Sequence, residues 1–225
     1  MLMETLIERA IKLEEDGIFL GGPAKFFETA GRKQLTTLLS EGLAPTSKVL
    51  DIGCGCLRGG YWLIHFLDKG CYFGIEPNTE MLDAGLRILL EPELLDLKTP
   101  KFDPNSNFDF SIFEVKFDYL VARSIWTHAS KQQIQTMLDG FVGSGNTNGI
   151  FITSYIRPTL FKRDYKATQW IGRSHESDRP GIARHSLNWI QTECTKRGLT
   201  VNEIKEQEYN FGNQTWIKIK KSNGK

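Results

Sequence analysis

The sequence has no apolar run approaching the roughly 20 residues that a membrane-spanning helix needs, so no membrane partner is expected. No positively charged, apolar leader opens it either, and the setting expected is cytoplasmic. Cysteine is scarce, with only Cys54, Cys56, Cys71 and Cys194. Cys54 and Cys56 form a C-x-C pair, but no histidine or second pair lies at zinc-ligand spacing. No metal site is expected, and the thiols read as small, reduced loop or core residues. An excess of one charge is missing too: 28 Lys plus Arg stand against 27 Asp plus Glu. Nucleic acid is therefore not expected as a partner on net charge, although a local basic patch stays open. No internal repeat, low-complexity tract or long linker divides the chain. Its 225 residues suit one α/β domain with a modest extension.

What is present alternates between helical and strand patterns. Thr5 to Asp16 carries Leu6, Ile7, Ala10, Ile11 and Leu13 at helical spacing, with Gly17 as its stop. After Gly21-Gly22-Pro23, a second helical region runs to about Gly42, and Gly31 in its middle predicts two short helices with a bend. These first 42 residues read as a helical cap. The Phe26-Phe27 pair suits either cover for a sheet face or closure over a ligand. Strands follow at Lys48 to Ile52, Cys71 to Glu76, somewhere within Lys101 to Phe110, Phe117 to Ala122 and Ile150 to Ile156. Glu91 to Asn107, punctuated by Pro92, Pro100 and Pro104, reads as mostly irregular. Ser130 and Gln133 form a capping-box pattern ahead of a helix. The last regular segments are a helix over Leu187 to Arg197 and a hairpin of Leu199 to Glu206 with Gln214 to Lys220, joined around Asn210 to Asn213.

Alternation of this kind predicts a largely parallel sheet covered by helices, with ligands outside the carboxyl ends of its strands. Three segments fall there: the glycine turn of Val49 to Gly60, Glu76 after the second strand, and Arg123 to His128 after the fourth. A dinucleotide turn needs G-x-G-x-x-G, but here Gly59 follows Gly55 by four positions. Asp51 at the head of the turn sits poorly beside a pyrophosphate and suits an ammonium group. Glu76, roughly 20 residues on, can accept from both hydroxyls of a ribose. Together the two carboxylates call for an aminoacyl-nucleoside.

The stretches Val-Leu-Asp-Ile-Gly-Cys-Gly at 49–55, Gly-Ile-Glu-Pro-Asn at 74–78 and Phe-Asp-Tyr-Leu-Val-Ala-Arg-Ser-Ile-Trp-Thr-His at 117–128 resemble the class I S-adenosylmethionine-dependent methyltransferases. The resemblance runs from about Leu43 to Lys220. It implies a Rossmann-like sheet of seven strands in the order 3-2-1-4-5-7-6, strand 7 antiparallel, flanked by helices behind an N-terminal helical extension. Residues 43–156 would be the cofactor-binding core, 157–184 a substrate lid, and 185–221 the closing helix and hairpin. Carried over by position, Asp51, Gly53, Cys54 and Gly55 hold the methionine part of S-adenosyl-L-methionine. Glu76 takes the ribose, Pro77 and Asn78 lie beside the adenosine, and Asp109 and Phe110 are candidates for the adenine. Arg123 and Ser124 run under the cofactor. Many members have a small residue where Leu57 stands, which leaves Arg58 available for the cofactor's carboxylate.

A sulfonium methyl is already activated, so alignment and exclusion of water do most of the work. An oxygen acceptor also needs a base, and His128 is the first candidate; otherwise Thr127-His128 orders its loop. His175 and His185 flank the basic stretch, and His65 reads as structural. Tyr155 either donates to an acceptor or lines the pocket. Arg163 and Arg173, with their neighbours in 157–184, either bind an anionic acceptor or form a solvated surface. Asn-Pro-Pro-Tyr, a signature of amino methylation in the superfamily, is absent. The expected function is methylation of a small acceptor, an anionic sugar or a biosynthetic intermediate, at oxygen. The alternatives are an RNA or protein methyltransferase and a non-catalytic assembly partner.

Overall fold

The computed structural model describes residues 4–172, 180–205 and 214–222. Contacts divide the chain into two compact units, Met1–Asn105 and Ser106–Lys225. Seven strands follow the order β3-β2-β1-β4-β5-β7-β6, with β7 antiparallel, which is the topology the resemblance implies.

In the first unit, α1 (Leu6–Glu15) begins at a capping box in which Thr5 and Glu8 satisfy each other's backbone amides, and it buries Ala10 and Leu13. A single turn of 3-10 helix, Ala24–Phe26, leads directly into α2 (Phe27–Ser40). The predicted bend is missing, so α2 is one helix of 14 residues. Gly31 is there for close approach: a Cβ would lie 2.1 Å from the Arg58 carbonyl oxygen. Packing of α2 on the residues just after the glycine turn thus offsets the roughly 1 kcal/mol that glycine costs a helix.

Strands β1 (Val49–Ile52) and β2 (Tyr72–Ile75) are buried at every position, as expected of parallel strands covered on both faces. Their register pairs Val49 with Tyr72 and Ile52 with Ile75, and β2 in turn pairs Ile75 with Asp103 of β3 (Lys101–Asp103). Helix α3 (Gly60–Phe66) follows the turn, and α4 (Thr79–Leu89) is capped by the Asn78 side chain, which accepts from Met81 N. The stretch expected to be irregular contains α5 (Pro92–Lys98), with Pro92 in its first turn. Proline is tolerated there because that amide has no helical partner in any case.

In the second unit, β4 (Phe117–Ala122) runs parallel to β5 (Gly145–Tyr155). Helix α6 (Lys131–Ser144) starts at the anticipated capping box of Ser130 and Gln133 and extends to the residue before β5. The strand expected from Ile150 therefore begins five residues earlier, directly after the helix. Phe117, Phe141, Phe151 and Trp126 are fully buried among these elements. Helix α7 (Leu187–Lys196), capped by Ser186, leads into β6 (Leu199–Glu203), which pairs antiparallel with β7 (Thr215–Lys221). The joint of that hairpin lies outside the described residues. No described helix is long and apolar enough to cross a membrane.

Candidate active site

The glycine turn is held against the end of β2. Gly53 N and Cys54 N both donate to Ile75 O, at 2.8 and 3.1 Å, and Gly53 and Gly55 have φ of 69° and 59°. Those positive values are the reason glycine stands there. Leu57 adopts φ 64° as well, against the preference of a branched side chain, and is fully buried. Burial of its isobutyl group, worth about 1.5–3 kcal/mol, outweighs the roughly 1–2 kcal/mol cost of the left-handed backbone.

Glu76 follows β2 directly. Its carboxylate accepts from Gly55 N and from Asn78 N, both at 2.9 Å. These two amides orient the carboxylate. Burial raises its pKa, against which the Asn78 and Gly55 amides pull down. Asp51, inside β1, is only 3% exposed and accepts from the Tyr72 hydroxyl at 2.9 Å. Burial pushes its pKa up to about 7; the Tyr72 bond opposes the rise and the Glu76 charge adds to it. Cys54 is buried, and burial raises its thiol well above the ordinary range, which marks it as packing rather than reactive.

Arg58 is 9% exposed, and its Nη1 donates to Gly21 O at 3.2 Å. Among the described residues it makes no ion pair. Burial lowers its pKa to about 10. The Gly21-Gly22 loop lies on the guanidinium, and α2 lies on the backbone of the same residue. These contacts set the N-terminal segment against the turn. Phe27 is fully buried in this arrangement, whereas Phe26 is 44% exposed.

Asp103 was not singled out in the sequence. It ends β3, one strand over from Glu76, and Glu76 N donates to its carbonyl oxygen at 3.1 Å. Its carboxylate accepts from Asn105 N at 2.9 Å and from Asn105 Nδ2 at 2.6 Å. The only signal in the sequence was an acid directly before Pro104. Asp109 and Phe110, the candidates for that part of the site, lie in the second unit. Asp109 accepts from Ser111 N and Oγ, Phe110 packs against Gly140, and both line a recess of about 360 Å³ beside α6.

The second unit holds a closed polar ring after β4. Ser124, at φ 64°, donates its amide to Ser154 Oγ at 2.8 Å. Ser154 Oγ donates to Gln214 Oε1 at 2.6 Å, and Gln214 Nε2 returns to Ser124 Oγ at 2.7 Å. Thr127 Oγ1 adds a bond to Ser124 O at 2.6 Å. Ser124 is thus fixed by Ser154 and Gln214, which sequence reasoning missed. Four residues on, His128 Nδ1 lies 2.8 Å from Ile171 O, an acceptor only, so that nitrogen carries the proton and Nε2 is left as the basic atom. The Trp170 ring stacks on the imidazole at 5.7 Å, and burial lowers its pKa. His185 is fully buried with Nε2 on Ala129 O, and His65 Nδ1 contacts Tyr61 O.

Tyr155 is not brought to this group. Strand alternation turns it away from Ser154, and its hydroxyl donates to Glu203, which also pairs with Arg157. Burial raises its pKa to about 12. Arg163 is exposed, and Arg173 and His175 lie outside the described residues. No group of three or more potential metal ligands occurs among the described residues.

No family model matches the chain. A relative among curated proteins is the uncharacterized protein RP028 of Rickettsia prowazekii (strain Madrid E), 27% identical over 113 residues. That match takes in 49% of this chain and only 43% of the relative. Among solved structures, the magnesium protoporphyrin IX methyltransferase ChlM from Synechocystis PCC 6803 with bound SAH superposes with a TM-score of 0.58 at 11% identity, over 99% of this chain and 90% of its own. The glycopeptide N-methyltransferase MtfA, complexed with S-adenosyl-L-methionine, superposes with a TM-score of 0.63 at 11% identity, over 85% and 94%. At such identities the likeness is one of fold: the chain has the class I methyltransferase fold.

Proposed function

We propose that the chain is an S-adenosylmethionine-dependent methyltransferase acting on a small acceptor, at oxygen in preference to nitrogen. The observation that carries this reading is the Glu76 carboxylate, buried at the end of β2 and fixed on the Gly55 amide of the turn after β1. It sets a two-hydroxyl acceptor against a backbone that a nucleoside can approach closely.

The donor set of the first unit fits the cofactor chemically. Glu76 takes the ribose hydroxyls, with Pro77 and Asn78 beside the adenosine. Asp103, at the neighbouring strand end, is placed to accept from an exocyclic amine. Asp51 complements an ammonium group, and Arg58, a buried cation whose hydrogen bond goes to a neutral carbonyl, complements a carboxylate. When bound, the cofactor supplies a methyl group already activated on sulfur. The chain then has to orient the acceptor and exclude water, and orientation of this kind can supply about 7 kcal/mol or more of the barrier reduction.

The second unit supplies Arg123 and Ser124 for the cofactor and His128 for the acceptor. His128 Nε2 is the atom that takes the proton of an acceptor hydroxyl, because Nδ1 is held by Ile171 O. We take the chain as one methyltransferase domain, with residues 157–184 as its substrate lid. Basic residues in that stretch support an acceptor bearing a phosphate or carboxylate.

Transfer of label from methyl-labelled S-adenosylmethionine tests the reading, using sugar phosphates, hydroxy acids, amines, RNA and protein as acceptors. Label in a small hydroxyl compound, lost in His128→Gln, is the expected result. Label in RNA or protein alone refutes the small-acceptor reading.

A further inference from the structure

Two large apolar side chains of the second unit stand almost wholly in water. Leu160 is 95% and Phe161 94% exposed, whereas the next most exposed large apolar residue described, Leu97, is at 64%. They occupy the centre of a tight turn. Thr159 N donates to Lys162 O at 2.8 Å, and Lys162 N donates to Thr159 Oγ1 at 3.1 Å.

The base of this turn is fastened. Tyr165 N donates to Arg184 O at 2.8 Å, His185 N to Ile156 O at 3.0 Å, and Ser186 N to Asp164 Oδ1 at 2.8 Å. Arg184 Nη1 donates to Arg157 O at 2.9 Å. The turn is thereby presented outward with both apolar side chains at its tip. Its flanks are basic: Lys162, Arg163 and Lys166 are exposed and make no ion pair among the described residues. The one acid between Thr159 and Lys166, Asp164, is already paired with Lys131.

We propose that this turn docks the protein on an anionic lipid surface, with Leu160 and Phe161 entering the headgroup boundary and Lys162, Arg163 and Lys166 meeting lipid phosphates. Two such side chains cover roughly 400 Å², below the roughly 600 Å² that each partner contributes to the smallest stable protein interfaces. A second copy or a folded partner is therefore poorly served by it. A lipid surface requires no complementary shape and rewards an apolar tip ringed by cations. It concerns a peripheral contact, and it assigns Arg163 to lipid phosphate, the alternative to a role for that side chain toward an anionic acceptor.

Flotation of the full chain with vesicles tests it, comparing phosphatidylcholine alone with an equal mixture of phosphatidylcholine and phosphatidylglycerol. Binding to the mixed vesicles, weakened by salt, is expected, with little binding to the neutral ones. The double variant Leu160→Ser/Phe161→Ser should lower the partition constant by at least about tenfold. Lys162→Gln/Lys166→Gln should lower it by about fivefold per cation. All four side chains are exposed, so an unchanged melting temperature verifies the fold of each variant. Absence of binding to the mixed vesicles, or equal binding by the Leu160/Phe161 variant, overturns the proposal. So does self-association of the wild type, without vesicles, that disappears in that variant.

Discussion

Replacing Asp51 by asparagine should make the protein more stable at mildly alkaline pH while weakening its affinity for the cofactor. The carboxyl is displaced from an ordinary 3.8 to about 7, with burial as the main cause. Between those values the folded chain holds a proton that the unfolded chain has released, so stability falls as pH rises through this window. The full displacement corresponds to roughly 4 kcal/mol, and because Asp51 is only 3% exposed, solvent screening removes little of it. Asparagine has no charge to desolvate, and its Oδ1 still accepts from the Tyr72 hydroxyl. Urea unfolding of both proteins from pH 4 to pH 8 should give similar stabilities at pH 4. The variant should then gain an advantage that approaches a few kcal/mol by pH 8. A difference that is flat with pH, or a wild type that is the more stable at pH 8, refutes the reasoning. The same substitution removes the partner proposed for the ligand's ammonium group, so S-adenosylhomocysteine should bind more weakly. Retention of a costly carboxylate is then explained by the site it serves.

Gly31→Ala forces a Cβ to within 2.1 Å of the Arg58 carbonyl oxygen, and α2 must shift off the turn. A loss of about 1–3 kcal/mol in urea unfolding is expected, with weaker cofactor binding beside it. Gly172 has φ 103°, and a Cβ there would lie 2.1 Å from His128 Nδ1. Gly172→Ala should therefore reduce kcat by about 10²-fold or more while leaving S-adenosylhomocysteine affinity nearly unchanged, measured by turnover and calorimetry. Burial holds the His128 pKa below its ordinary 6.5, so the wild-type rate should rise with pH on a limb centred below that value and level off above it. Steady-state rates across pH, with loss of that limb in His128→Gln, check the assignment.

The legible parts of the fold were those whose cause is local. The apolar run into Gly53 and Gly55, the carboxylate after the second strand, and the Ser130-Gln133 capping box each need only a few neighbouring residues to be understood. The bend expected at Gly31 did not form, because the Arg58 carbonyl that Gly31 accommodates lies in another element. Pro92 reads as a breaker in isolation and as a helix start once α5 follows it. Asp103 was missed because β3 has only three residues and no periodicity of its own. The ring of Ser124, Ser154 and Gln214 joins positions 30 to 90 residues apart, and no local pattern announces it. The orientation of Tyr155 toward Glu203 was equally invisible, since it depends on β6 lying across β7 from β5.

Calorimetric titration of S-adenosylhomocysteine into the wild type and into Glu76→Ala tests the central claim most directly. Glu76 is proposed to hold both ribose hydroxyls, and hydrogen bonds to a charged group are worth about 1.5–3 kcal/mol each. Saturable binding by the wild type, weakened by about 10²-fold or more in Glu76→Ala, is the predicted result. No binding by the wild type, or equal affinity in the variant, would contradict the account.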